Sequence, residues 1–235
     1  MLLLLVTVIA FSSCTWFGER VSGNGKVITE DRQVGAFEDI RVSGGIDVQI
    51  KQDPSHRVSI STDENLMPLL EVYVSNNILH IREKKGYNLK PSNELIVYIN
   101  APGFRKIDVS GSSDLSSSNR ISVDNPLEIS ISGSAHIDME IDAPGISTDV
   151  SGSGTVKLRG RSKDTRISLS GSGDIRCFEL ASENVELDVS GSADAEVSAS
   201  TTLDISVSGA GTVNYRGNPS VKQSISGAGS VKKVG

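Results

Sequence analysis

Cysteine is scarce in this chain. Only Cys14 and Cys177 occur, so no disulfide framework organises the fold and packing must hold it. Aromatic residues make up 4% of the sequence. That excludes a ring-filled compact core and removes the stacking platform on which single-stranded nucleic acids are read. No basic stripe offsets the net charge of −6, so nucleic acid is excluded as a partner. The histidines His56, His80 and His136 show no metal-ligand spacing. No Gly-x-Ser-x-Gly elbow marks a nucleophilic serine, and no lysine follows Ser151-Gly152-Ser153-Gly154 as a phosphate loop would require. The expectation is a chain that is not an enzyme and carries no cofactor.

What is present begins at the N-terminus. Leu2–Phe11 is apolar except for Thr7. It is too short to span a bilayer and has the length of a secretory h-region. Phe11-Ser12-Ser13-Cys14 follows, with small residues directly before a cysteine, and resembles a bacterial lipobox. It departs from that pattern in having no Lys or Arg after Met1 and Phe in place of the commoner Leu. The resemblance implies cleavage before Cys14 and lipidation of Cys14, with a membrane as partner through the N-terminal acyl chains. Residues 1–13 are then a signal peptide and 14–23 a lipid-anchored linker.

The dominant feature is a repeat. A Ser-Gly pair followed by two small residues recurs at Ser110, Ser132, Ser151, Ser170, Ser190, Ser208 and Ser226, with spacings of 22, 19, 19, 20, 18 and 18 residues. Ser43-Gly44-Gly45 is a looser copy. One residue before each serine stands Val109, Ile131, Val150, Leu169, Val189, Val207 or Ile225. Three before stands Ile107, Ile129, Thr148, Ile167, Leu187, Ile205 or Gln223. Period-two alternation within each copy means strands, and the apolar phase shared between copies means that they stack on one another. The expected fold class is therefore all-β: a single-stranded parallel β-helix, right-handed by the usual crossover rule, with 18–22 residue rungs. Gly111, Gly133, Gly152, Gly171, Gly191, Gly209 and Gly227 follow their serines without exception, which points to a structural corner with no room for Cβ or with positive φ.

Two residues before the serines the chain reads Asp108, Ser130, Asp149, Ser168, Asp188, Ser206 and Ser224. These positions face outward, and alternating serine with aspartate keeps like charges from stacking directly. Carboxylates so spaced cannot share one calcium ion. Asp174 and Asp194 share another column on neighbouring copies. They are the one carboxylate pair that acid–base chemistry on a glycan could use, although solvated corners explain them better. Cys177 falls on the inward phase and reads as a small buried hydrophobe.

Residues 24–105 are rich in β-pattern but irregular. Thr62-Asp63-Glu64-Asn65-Leu66-Met67-Pro68-Leu69-Leu70 starts like a short helix, with a cap residue and early acids. Ser43 to Ser110 leaves room for three rungs with insertions, so this half is expected to continue the same solenoid. At the other end, Lys233 occupies an inward phase beside Lys232, and the two are read as edge gatekeepers that keep the chain monomeric.

Phe37-Glu38-Asp39-Ile40-Arg41-Val42-Ser43-Gly44-Gly45-Ile46-Asp47-Val48, the Asp63-Glu64-Asn65-Leu66 segment and the Ser-Gly-Ser/Ala repeats together resemble the putative auto-transporter adhesin, head GIN domain family. The naming tripeptide appears as Gly45-Ile46-Asp47, with Asp in the Asn place. The resemblance spans roughly residues 27 to 230. It implies a β-helical, secreted or lipid-anchored protein of the bacterial cell envelope, of a kind frequent in Bacteroidetes, and supplies no catalytic residue. The organisation expected is an irregular N-terminal β-helical half over 24–105 and a regular Ser-Gly repeat β-helix over 106–235. The function expected is a non-catalytic envelope lipoprotein, an adhesin or structural module with a glycan or envelope protein as ligand, on the outer membrane facing the periplasm or the surface. A polysaccharide-active β-helix lyase or hydrolase is the alternative.

Overall fold

The computed structural model describes residues 18–235. Cys14 and the expected 1–13 signal peptide lie outside the described residues. In chain order, β1 (Glu19–Ser22), β2 (Val27–Arg32), β3 (Asp39–Gly44), β4 (Asp47–Gln52) and β5 (Arg57–Asp63) precede a single 3₁₀ turn, Met67–Leu69. Then come β6 (Leu70–Ser75), β7 (Ile78–Glu83), β8 (Tyr87–Lys90), β9 (Ile96–Ala101), β10 (Lys106–Ser117) and β11 (Ile121–Ser122). β12 runs unbroken through Leu127–Arg216, and β13 is Ser220–Lys233.

Period-two alternation makes these segments strands. In β10, Ile107 and Val109 are buried while Asp108 between them is half-exposed. β10 also joins two walls of one sheet. Its Lys106–Gly111 half lies parallel to Asp39–Gly44 of β3, and its Leu115–Ser117 half lies parallel to Val48–Ile50 of β4. From β3 the sheet continues to β7 and β6; from β4 it continues to β9, β5 and β2. The eleven-stranded sheet thus folds back on itself as a nearly closed barrel, with one continuous core of Val, Ile and Leu inside. Beyond β10 the Ser-Gly copies stay in parallel register. Ser110 lies opposite Ser132, and Ser208 opposite Ser226.

This topology overturns the single-stranded parallel β-helix expected from the repeats. The strand order is not the chain order. β3 and β4 are sandwiched between β10 on one side and β7 and β9 on the other, and three pairings, β2–β5, β5–β9 and β6–β7, are antiparallel. Ser43 pairs directly with Ser110, so no rungs fill the interval between them. The chain leaves the first bend, builds the far side of the barrel, and returns to pair with the strands it left. The repeat could not reveal this, because residues 45–105 carry no copy of it. One signal was readable. Asn76 and Asn77 both have positive φ, 53° and 64°, which makes the two-residue turn that matches hairpin twist and forces β6 and β7 antiparallel.

The expected short helix is also corrected. Thr62 and Asp63 belong to β5, Glu64–Leu66 make a turn, only Met67–Leu69 is 3₁₀-helical, and no side chain caps it. Pro68 at its start cannot donate to a longer ladder. No α-helix occurs among the described residues.

Candidate functional site

The Ser-Gly bends line up along the outside of the barrel. All seven column glycines have φ between +118° and +136°. Gly152 shows what the bend demands: a Cβ there would run into the carbonyl oxygen of Gly133 beneath it. Backbone therefore touches backbone at every step, and the side chains flanking the bend are left to form the surface.

Over the first of these bends lies a groove of about 420 Å³. Two outward columns flank it: Arg41, Asp108, Ser130, Asp149 and Ser168 on one side, and Ser43, Ser110, Ser132, Ser151 and Ser170 on the other. Between them runs the backbone of Val42, Val109, Ile131 and Val150, whose side chains are buried in the core. At one end the polar groups satisfy one another. Arg41 donates to Asp108 at 3.2 Å, and the Ser110 hydroxyl donates to Ser43 Oγ at 3.0 Å. Further along, Asp188 pairs with Arg166 at 3.4 Å. Between these pairs, Asp149 and the hydroxyls of Ser132, Ser151 and Ser170 have no side-chain partner among the described residues. Arg41 was not singled out from sequence. Extending the column to the looser Ser43 copy would have placed it opposite Asp108, where the register puts it.

The other sequence candidates do not assemble into a reactive centre. Asp174 and Asp194 border one shallow surface depression, but Asp174 pairs with Arg176 at 3.1 Å and Asp194 accepts the Thr212 amide at 2.9 Å. The histidines lie apart. The His56 Nε2 meets the Phe37 carbonyl at 3.1 Å, His80 stacks on Tyr73 at 4.9 Å, and His136 is exposed. Cys177 is buried, and burial pushes its thiol up to about 12, far from a nucleophile at neutral pH. No group of three or more His, Cys, Asp or Glu among the described residues is placed to hold a metal ion. Lys232 and Lys233 are both exposed at the end of β13, and the Lys233 ammonium donates to Asn218 Oδ1 at 2.6 Å.

The family model described as putative auto-transporter adhesin, head GIN domain, matches residues 36–219. Solved structures agree with the fold. A putative adhesin from Bacteroides fragilis superposes with a TM-score of 0.82 at 21% identity, over 91% of this chain and 100% of that one. A putative lipid binding protein from Parabacteroides distasonis gives 0.69 at 24% identity, over 92% and 100%. A putative adhesin from the same organism gives 0.67 at 26% identity, over 92% and 100%. These relatives carry binding names and no enzyme names. Among curated proteins none matches this chain.

Proposed function

The chain belongs to the putative auto-transporter adhesin, head GIN domain family, and from that premise we propose that it is a non-catalytic, lipid-anchored module of the bacterial cell envelope that binds a glycan or another envelope protein. The family match over residues 36–219 carries this reading. The barrel supplies a long polar outer face and no clustered acid, base or nucleophile in the groove. Acyl chains on Cys14 hold the protein on a membrane, since each buried CH₂ contributes roughly 0.8 kcal/mol; the linker expected over 14–23 is shorter than that, because Glu19–Ser22 is β1, paired with Tyr87–Lys90 of β8. The repeat half, 106–235, carries most of the exposed face, and 24–105 closes the sheet on itself.

Two experiments test this. Metabolic palmitate labelling is expected to tag the wild type and miss Cys14→Ser; equal labelling of both refutes the anchor. The chain from residue 14 onward, carrying Cys14→Ser and immobilised on beads, is expected to retain purified envelope material above a bead-only control. Retention no greater than that control refutes the binding role.

A further inference from the structure

We infer that the groove along the Ser-Gly bends is a carbohydrate site that takes a neutral, extended, β-linked glycan lying along the stack of strands. This deepens the binding reading above and rests on it. Two observations carry it.

The first is periodicity. Neighbouring strands stand about 4.8 Å apart, so hydroxyls recur along the groove at that spacing. Asp108 and Asp149 alternate with Ser130 and Ser168, so the chemical repeat of the groove is two strands, about 9.6 Å. An extended β-linked glycan flips its rings alternately and repeats every two rings over a comparable length. A chain lying in the groove would present the same ring edge to every second strand.

The second is the uncommitted polar set. Arg41 holds Asp108 at 3.2 Å and Arg166 holds Asp188 at 3.4 Å. Asp149, between them, has no ion pair among the described residues, and Ser132, Ser151 and Ser170 offer hydroxyls that can both donate and accept. A lone carboxylate accepting from two neighbouring hydroxyls, with serines on either side, is the donor–acceptor set that a polyol satisfies.

The charge decides between glycan classes. The column carries aspartates and the chain a net charge of −6, so a uronic acid or sulfated chain would bring like charges together. Neutral rings pay no such repulsion.

The test uses the chain from residue 14 onward with Cys14→Ser, titrated calorimetrically with cellohexaose, chitohexaose, maltohexaose and a hexauronate. One or both β-linked neutral hexamers are expected to bind, with the α-linked and anionic ones weaker. Ser151 is exposed, so Ser151→Leu is expected to block the groove without unfolding the barrel and to weaken binding at least about tenfold, and Asp149→Asn to weaken it several-fold. Ser200→Leu, exposed and outside the groove, is expected to change nothing. A matching melting temperature establishes that each variant is folded. Envelope material retained on the beads while no hexamer binds overturns the glycan site and leaves the binding role standing. Hexamer binding that survives Ser151→Leu, or that favours the hexauronate, also overturns it.

Discussion

The two halves of the barrel reach one continuous core by different means. In 106–233 each copy lies on the one before it, side chain on like side chain. Charge is managed between neighbouring copies, as in Lys157–Asp138 at 3.2 Å, Arg161–Asp142 at 2.7 Å and Arg166–Glu186 at 3.1 Å. In 24–105 apolar columns persist, Ile40 beside Leu79 and Val48 beside Val97, but the Ser-Gly copy occurs only at Ser43-Gly44, and single residues fasten distant strands. Asp63 at the end of β5 accepts the Gly25 amide at 2.7 Å, the Ser92 amide at 2.8 Å and the Ser92 hydroxyl at 2.6 Å. Gln52 ties the Pro102 loop to β11, donating to the Pro102 carbonyl at 2.8 Å and the Ser122 carbonyl at 2.7 Å and accepting the Ser122 amide at 2.7 Å. A repetitive wall tolerates loss of one surface contact because its neighbours repeat it, but it cannot tolerate a misfit in a shared column. An irregular wall has the opposite weakness.

The largest expected effect breaks a column. Gly152→Val places a β-branched residue at φ +133° against the Gly133 carbonyl and is expected to cost about 3 kcal/mol or more. Gly35→Val, in the irregular half with nothing within 4 Å of its Cβ, is expected to leave the melting temperature unchanged, and so is Ser153→Ala, a small outward change beside the bend. Comparable losses in all three would show that the column is not sterically required.

Acid is expected to act first on the irregular half. The Ser92 hydroxyl, then the Ser92 amide, hold the Asp63 carboxyl below the usual carboxylate range. Its folded-state value lies below the unfolded value of about 3.9, so its contribution is fully present above that value and is lost as pH falls through the folded value. Asp142, held down by the Arg161 guanidinium, follows the same sign but sits on a redundant surface ladder. Hydrogen exchange is expected to show the Gly25 and Ser92 amides opening between about pH 4 and lower values while amides of β12 stay protected. Simultaneous opening of both sets would remove the distinction between the halves.

A smaller effect runs in the stabilising direction. Thr148 in the repeat half and Thr62 in the irregular half are each fully buried, with hydroxyls that lack a partner among the described residues. Thr148→Val and Thr62→Val keep the shape and remove the unpaired group, so each is expected to gain about 1 kcal/mol in chemical denaturation. A loss at either position would reveal a partner for that hydroxyl.

The smallest effect on stability concerns the last strand. Val221 and Ile225 are 38% and 37% exposed, and Lys232 and Lys233 share their strand. In the chain from residue 14 to 235, Lys232→Val with Lys233→Val is expected to leave the melting temperature unchanged and to promote dimers or longer assemblies in light scattering. A double variant as monodisperse as the wild type would deny these lysines a gatekeeping role.

Much of the repeat half was legible because its signal is periodic. The apolar phase of Ile107, Ile129 and Ile167, the invariant bend glycines and the burial of Cys177 all follow from one alignment of the chain on itself. The groove was half legible. The Asp/Ser column was read as charge management, and its meeting with the serine column across one concavity was not, because the sequence does not say how sharply the sheet folds at each bend. The irregular half was misread where it mattered most. Thr62 and Asp63 looked like a helix start, since a Thr-Asp pair before acids caps helices, yet pairing with Ile28 and Val27 of β2 drew both residues into a strand.

Sequence by itself determined that the chain is all-β, which side chains face inward in the repeats, and that glycine must stand at each bend, because these are local consequences of alternation and of the space left for Cβ. Only the tertiary structure decided that β3 and β4 end up inside the sheet with their sequence neighbours on the far side, that three pairings run antiparallel, and that the whole closes nearly into a barrel. Strand order is a choice among hydrogen-bond edges that are chemically alike. The choice is made by which apolar faces can be buried together across a sequence separation of 67, and no local pattern records it.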